Sequence, residues 1–211
     1  MASVPKGMTE GASSVRDAAT TVLVRRMPGG PAVLMGQRGA AAAFMPDKVV
    51  FPGGATDPGD AAGGLPLSPD CDRRLRVACD GPSPATLAAA AHRELTEETG
   101  LTLRPGPAPS LTFVFRAVTP PGRSRRFDAR FFLADAADLS GDPDDFSRAQ
   151  DELSFLQWVP LAQARGLNLP FITEIVLAEI AHQLSSGQSG PPPRVPFFDN
   201  SGPVPAFRWL D

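Results

Sequence analysis

The stretch Arg93-Glu94-Leu95-Thr96-Glu97-Glu98-Thr99-Gly100-Leu101 holds three glutamates within five residues, just before a glycine. The alanine-rich segment ahead of it predicts that the glutamates lie in the last turns of a helix, which Gly100 ends. Side chains three or four residues apart share a helix face, so Glu94 and Glu98 are neighbours with Glu97 beside them. Such a cluster repels itself, and a divalent cation removes the repulsion because hard cations prefer carboxylate oxygen. A solvated acidic helix face is the competing interpretation.

The beginning of this helix can also be placed. Ser83 followed by Pro84 is the pattern of an N-cap and a first helical residue. From there, at about 100° per residue, Ala88, Ala91 and Leu95 form one apolar stripe. We expect this stripe to pack on a sheet, which leaves the glutamates at the shoulder of the packed face.

A second motif lies upstream, where Phe51-Pro52-Gly53-Gly54 follows a short apolar run. Together the two motifs resemble the Nudix box, G-x5-E-x7-R-E-U-x-E-E-x-G-U, where U is aliphatic. Gly54 takes the first glycine position, Asp60 the first acidic position, and residues 93–101 match the second half without a mismatch. The sequence departs from the pattern between Asp60 and Arg93, where 32 residues replace seven. We assign residues 61–85 to this insertion, which is either a surface excursion or a functional loop.

The resemblance implies a hydrolase that cleaves a nucleoside diphosphate linked to another moiety, with Mg²⁺, or Mn²⁺ in its place, as the cofactor. Glu94 and Glu98 are then direct metal ligands. Glu97 is either a ligand or a residue that contacts a ligand without touching the metal. The carbonyl of Gly53 is an additional ligand, which suits a turn that approaches closely. Arg93 is expected to pair with a carboxylate of the box and to hold its rotamer.

The catalytic set implied by the resemblance contains Arg93, Glu97 and a general base in a loop after the later strands. Glu152 is our candidate for that base and Asp151 the second choice, since both stand just before a predicted strand.

The surroundings of the box resemble a branch of the family that hydrolyses coenzyme A or acyl-CoA to 4′-phosphopantetheine and adenosine 3′,5′-bisphosphate. The enlarged box and the segment Arg125-Arg126-Phe127-Asp128 carry this resemblance. Arg125 and Arg126 could bind the 3′-phosphate, because arginine suits bidentate phosphate contacts. The alternative is that they pair with Asp128 and neighbouring strands. An ADP-ribose or NADH diphosphatase and a non-catalytic nucleotide-binding sensor remain open.

Base recognition is a further expectation. The chain has no tyrosine, so a ring that stacks on a base must come from phenylalanine or tryptophan. Phe51 is our candidate substrate contact, together with Phe44 and Phe127.

Composition narrows the class of protein. The net charge of −3 and the pI of about 5.4 argue against a general affinity for nucleic-acid backbones. No apolar run reaches membrane-spanning length and no secretory signal opens the chain, so we expect a cytoplasmic protein with a small-molecule substrate. Cys71 and Cys79 are expected to be free thiols. The sequence leaves a homodimer open.

The order of elements predicts an α/β fold, an α/β/α sandwich with a mixed sheet, which is the Nudix architecture. Residues 1–16 form a loose tail, residues 17–184 the hydrolase domain and residues 185–211 a Pro/Gly-rich extension. Strands are predicted at 18–26, 32–38, 48–51, 111–119, 126–134 and 153–159, and helices at 83–99, 161–165 and 170–184.

Overall fold

The computed structural model describes residues 14–42, 44–62, 64–187 and 190–211. The strands are β1 (Val15–Met27), β2 (Gly30–Arg38), β3 (Val49–Val50), β4 (Gly53–Ala55), β5 (Thr112–Val118), β6 (Arg126–Asp135), β7 (Leu153–Pro160), β8 (Val195–Asp199) and β9 (Ala206–Leu210). The helices are α1 (Pro69–Leu75), α2 (Pro84–Thr99), α3 (Leu161–Ala164) and α4 (Phe171–Ser185), with 3₁₀ turns at Pro58–Ala62 and Ala136–Asp138.

The strands form one mixed sheet in the order β3-β2-β1-β6-β5-β8-β9, while β4 pairs with β1 and β7 pairs with β2. The β1–β6 and β5–β8 pairs are parallel, and the other named pairs are antiparallel. Every strand predicted from the sequence is present, with ends that differ by a few residues.

Helices cover both faces of the sheet. Side chains of β1 alternate between them: Ala19 and Leu23 pack in the core under α1 and α2, whereas Val22 and Val24 pack in the core under α4. The predicted α/β/α sandwich is therefore confirmed.

Helix α2 follows its predicted boundaries. The Ser83 hydroxyl accepts a hydrogen bond from the Thr86 N–H, and Gly100 ends the helix in the left-handed region at φ +75°. The predicted stripe of Ala88, Ala91 and Leu95 is fully buried. This packing positions Glu94 and Glu98 against β4, beside Gly54 and Gly53.

The insertion is more ordered than the sequence indicated. It begins in the last residues of the 3₁₀ turn Pro58–Ala62 and forms the short helix α1, whose Cys71 and Leu75 lie in the core beside α2. Arg74 is buried and donates to the carbonyls of Pro192 and Pro193 at 2.6 and 2.8 Å. Seven residues are too few for a clear helical period, so packing, not pattern, forms this helix.

The C-terminal extension forms the hairpin β8–β9, which continues the sheet beyond β5. The sequence predicted only a Pro/Gly-rich extension here. Phe197 is buried, whereas Phe207 and Trp209 remain 54% and 44% exposed. The hairpin was missed because its pairing partner, β5, stands about 80 residues earlier in the chain.

The predicted tail, residues 1–16, lies largely outside the described residues, and β1 begins within its last two. In the described ranges, no helix combines the length and the apolar character that crossing a membrane requires.

Candidate active site

Three carboxylates meet beside the C-terminal end of α2. Glu94, Glu98 and Glu152 each offer one oxygen, and these oxygens all lie within 4.8 Å of one another. The first two come from successive turns of α2 and are buried, whereas Glu152 comes from the turn before β7 and is exposed. The cluster therefore joins two elements that are far apart in the sequence.

Glu98 is the most buried member, with 1% of its surface exposed. Its Oε2 accepts the Gly53 N–H at 2.7 Å, but its Oε1 is buried and has no hydrogen-bond partner among the described residues. Burial raises the pKa of Glu98 to about 9, and the charges of Glu94 and Glu152 add to the shift. Burial likewise raises the pKa of Glu94, against the effect of Arg93. An unpartnered buried oxygen beside two further carboxylates fits a hard divalent cation, which accepts an all-oxygen ligand set.

The glycine pair is required by close contacts. A Cβ at Gly53 would stand 2.6 Å from the Thr20 Cα and 2.7 Å from the Ala19 carbonyl oxygen, both backbone atoms in β1. A Cβ at Gly54 would stand 2.5 Å from the carboxyl carbon of Glu94. Glycine thus lets β4 lie against β1 and present the Gly53 N–H to Glu98. Whether the Gly53 carbonyl ligates the metal stays a prediction.

Arg93 holds the acidic groups of the helix in place. Its Nη1 donates to Glu94 Oε1 at 2.9 Å and to Glu97 Oε2 at 3.0 Å, and its Nη2 donates to the Ala55 carbonyl at 3.0 Å. Glu97 is not part of the group that could hold an ion among the described residues. Its observed contact is with Arg93, one layer outside the cluster.

Asp60 is the residue whose role the sequence did not reveal. It is buried and accepts from Arg93 in bidentate geometry, at 2.8 Å to Oδ1 and 3.1 Å to Oδ2. Burial acts to raise its pKa, but hydrogen bonds from Arg93 and the Asp57 N–H outweigh burial and hold the pKa below its usual value. Its place at the first acidic position of the box was the signal that could have identified it.

Glu152 and Asp151 were the candidates for the general base. The structure brings Glu152 to the cluster, while Asp151 is outside the ion-holding group found in the described chain. The exposed Glu152 carboxylate can accept a proton from a water molecule or act as a third metal ligand.

The predicted substrate arginines lie at the beginning of β6. Arg126 donates to the carbonyls of Thr119 and Ser201 at 3.0 and 3.4 Å, and Arg125 is exposed. Asp128, the alternative partner from the sequence, instead accepts from Arg116. Neither predicted arginine belongs to the carboxylate cluster.

The candidate stacking residues divide into two cases. Phe51 is 4% exposed and packs in the core under α4, so its ring has no open face for a base. Phe44 and Phe127 are half-buried and meet edge to face, with ring centroids 5.2 Å apart.

A carboxylate cluster at the end of a helix, faced by a glycine turn on a mixed sheet, can hold a divalent cation, and such cations act on anionic phosphate linkages in metal-dependent hydrolases. Comparisons with known proteins show which family the chain resembles. Residues 81–180 match the sequence model of the NUDIX domain, which begins inside the insertion and covers the second half of the box.

Solved structures agree. The crystal structure of a NUDIX hydrolase from Alicyclobacillus acidocaldarius is 26% identical, with a TM-score of 0.61 over 86% of this chain and 99% of that chain. An Ap4A hydrolase from C. elegans (19% identical, TM-score 0.51, 82% and 99% covered) and the ADP-ribose complex of the NUDIX domain of Shewanella oneidensis NrtR (15%, 0.51, 82% and 90%) share the fold. No curated protein sequence matches the chain.

Residues 81–180 match the Nudix domain, and this match together with the shared fold supports a hydrolase that acts on pyrophosphate bonds.

Proposed function

We propose that the protein hydrolyses the diphosphate bond of a nucleoside diphosphate linked to another moiety, with Mg²⁺ as the metal and coenzyme A or acyl-CoA as the substrate. The observation that carries the proposal is the buried, unpartnered Oε1 of Glu98 beside Glu94 and Glu152. A buried carboxylate oxygen without a partner is destabilising unless a ligand completes it.

Each group has a defined task in this proposal. Glu94 and Glu98 hold the metal, which supplies a water of lowered pKa and neutralises phosphate charge when it is bound. Arg93 holds the rotamers of Glu94 and Glu97 through its hydrogen bonds. Glu152, whose carboxylate is open to solvent, accepts the proton of the attacking water.

Coenzyme A is favoured by the insertion in the box and by the arginines at the beginning of β6. Arg125 is exposed, and Arg126 contacts only neutral carbonyl oxygens among its described partners. The positive charge of each is therefore available to bind a phosphate. We assign them to the 3′-phosphate of coenzyme A.

The test is a substrate panel in Mg²⁺ that compares coenzyme A, 3′-dephospho-coenzyme A, ADP-ribose and NADH by product analysis. We expect coenzyme A to give the highest kcat/KM. Replacement of both Arg125 and Arg126 by Ala should lower the preference for coenzyme A over its dephospho form by about a hundredfold or more, since each charged phosphate contact is worth about 1.5–3 kcal/mol and each 1.4 kcal/mol is a factor of about ten. Arg165→Ala, an exposed arginine in the turn after α3, is the matched control.

Two other functions remain as outcomes of the same panel. A diphosphatase for ADP-ribose or NADH is supported by the shared fold with a domain solved in complex with ADP-ribose. Turnover of ADP-ribose above coenzyme A would select it. A binding protein without catalysis is the third candidate, and the absence of turnover on every diphosphate would select it. The complete set of Glu94, Glu97 and Glu98 argues against that outcome, because binding alone does not need the full cluster.

A further inference from the structure

Strand β7 contains one extra residue close to the cluster. Its register with β2 shifts between Met35, which pairs with Gln157, and Gln37, which pairs with Ser154. Phe155 lies in this bulge with a backbone φ of +51°. A bulky side chain rarely adopts this left-handed conformation, and glycine would adopt it without strain. The bulge therefore holds phenylalanine against its backbone preference.

The ring of Phe155 gains little from folding. It is 76% exposed, although a phenylalanine is normally among the more buried residues. Its neighbours make the local packing contacts: the side chains of Leu153 and Leu156 lie against Gly36 in β2. The bulge could re-aim the strand with any small residue at position 155. An exposed aromatic ring in a strained position is thus unexplained by stability and points to a ligand.

The position of the ring is also informative. Phe155 follows Glu152 by three residues, which corresponds to about 10 Å along an extended strand. Glu152 is the exposed member of the carboxylate cluster. By this spacing the backbone of the exposed Phe155 lies within about one nucleotide length of the site where the diphosphate would be hydrolysed.

A second, independent feature lies on the neighbouring strand. Arg38 pairs with Leu153, the residue directly after Glu152. Its Nε is buried and has no hydrogen-bond partner in the described part of the chain. Arg38 as a whole is only half-buried, so part of the residue is open to a ligand, and a phosphate oxygen is the acceptor that arginine suits best.

We propose that the bulged end of β7 and the adjoining end of β2 form the nucleotide subsite of the enzyme. Phe155 provides a stacking surface for the nucleobase, and Arg38 donates to a phosphate oxygen that the metal does not hold. This inference rests on the proposed function, because it assigns the binding mode of the same diphosphate substrate. A planar base suits an exposed ring because stacking needs only one free face.

The first test replaces Phe155 by Gly and by Trp. Loss of a base-stacking ring should raise KM for nucleotide substrates about tenfold, with kcat within about twofold. Phe155→Trp should keep KM near that of the wild type. Because the ring is exposed and the backbone strained, Phe155→Gly should unfold at the same temperature as the wild type or higher. A lower unfolding temperature with unchanged KM would assign Phe155 a structural role and overturn the proposal.

Phe207→Ala is the matched control, since this ring is also more than half exposed but lies on β9 at the other end of the sheet. Its KM should equal that of the wild type. An equal rise of KM in both variants would show a general effect of lost aromatic surface and would count against a subsite at Phe155.

A substrate without a nucleobase distinguishes the role of Phe155 from that of Arg38. With 5-phosphoribosyl 1-diphosphate, Phe155→Gly should leave KM unchanged, whereas Arg38→Ala should raise KM about tenfold or more for this substrate and for nucleotides alike. Arg38→Lys should recover part of the loss, and Arg165→Ala should show none. Unchanged kinetics in Arg38→Ala would remove Arg38 from the subsite.

An equilibrium measurement keeps this inference separate from the proposed function. ADP added to Phe155→Trp in EDTA should quench fluorescence beyond the quenching seen in the wild type, which contains Trp158 and Trp209. Quenching in a protein without any turnover would retain the subsite and reject the enzyme function. Turnover with no quenching, and with normal KM in Phe155→Gly, would reject the subsite alone.

Discussion

Arg93 and Arg130 both bind carboxylates on the same side of the sheet. They differ in which polar atoms of their networks have no hydrogen-bond partner. The side chain of Arg93 is 28% exposed, and beside its partner Glu94 the buried Oε1 of Glu98 has no partner in the described chain. The side chain of Arg130 is 1% exposed and pairs with both Asp17 and Asp128. The first network leaves a buried carboxylate oxygen to be completed by a ligand, whereas the second pairs its charges within the protein, although the buried Nε of Arg130 has no hydrogen-bond partner among the described residues.

The second network also fastens the insertion to the sheet. Arg130 Nη2 donates to Cys79 Sγ at 3.2 Å, and Arg116 donates to the carbonyls of Val77 and Ala78 at 3.0 Å. Asp128 binds Arg116 as well. A buried network whose charges are paired stabilises one arrangement of the chain, while a cluster of carboxylates with surplus negative charge indicates a functional site. The following predictions test this contrast, beginning with the largest effect.

Glu98→Gln should lower kcat/KM by about a thousandfold or more, because it removes a charged ligand from the centre of the incomplete network. The fold should persist, as the amide oxygen can still accept the Gly53 N–H. Steady-state kinetics with Mg²⁺ and the far-UV circular dichroism spectrum provide the measurement. Glu174→Gln, at an exposed position on α4, is the control. Near-normal turnover in Glu98→Gln would contradict the assignment of the metal site.

Arg130→Met should lower the free energy of unfolding by about 3–5 kcal/mol, since it leaves Asp17 and Asp128 without their buried partner. Urea titration measures this loss. The kcat of the folded fraction at low temperature should change by less than about threefold, because Arg130 does not touch the cluster. Arg76→Ala removes an exposed ion pair with Asp72 and should leave the urea midpoint unchanged. A large fall in kcat of Arg130→Met with an unchanged free energy of unfolding would show that Arg130 acts in catalysis, and the distinction between the two networks would be wrong.

Asp60→Asn should lower activity about tenfold to a hundredfold, the range found when a partner that orients a ligand is removed. The amide keeps one acceptor for Arg93 but loses the bidentate charged pair. Asp57→Asn, at the neighbouring acidic residue, should stay within about twofold. Isothermal titration with Mg²⁺ should show weaker binding in Asp60→Asn. If the Mg²⁺ affinity and the rate of hydrolysis are both unchanged, Arg93 does not depend on Asp60 for its orientation.

The smallest effect is a pH dependence of the metal-free protein. The pKa of Glu98 is about 9 in the folded state and near its ordinary 4.5 when unfolded, so the folded state binds more protons between these values. Stability from this group is therefore present below pH 4.5 and is lost as pH rises towards 9. In EDTA, Glu98→Gln should unfold at a higher temperature than the wild type, by about 4 °C or more at pH 9 and by little at pH 5. If the difference in unfolding temperature between Glu98→Gln and the wild type does not increase with pH, the claim that a charged Glu98 destabilises the metal-free protein is wrong.

Local features explain which parts could be predicted. Helix α2 follows from Ser83, Pro84 and Gly100, and its apolar stripe follows from residues within one helix. The pairing of Arg93 with Glu97 is likewise a contact between neighbouring turns. Such contacts depend on short sequence separations, so their pattern is visible without the rest of the fold.

Features that depend on distant partners were missed or left open. The hairpin β8–β9 needs β5 as its partner, and α1 is held by the carbonyls of Pro192 and Pro193. Phe51 was a candidate for stacking, but the core under α4 buries it. The sequence alone does not show whether an apolar residue of this kind faces a core or a ligand.

The sequence by itself determined the acidic helix, the glycine turn and the pyrophosphate chemistry that their combined pattern implies. Only the tertiary structure decided that Glu152 joins Glu94 and Glu98, that Asp60 anchors Arg93, and that Phe155 is exposed in a β-bulge. The physical reason is that the first set depends on spacing along one helix and one turn. The second set depends on strand register and burial, which arise only when segments far apart in the chain pack together.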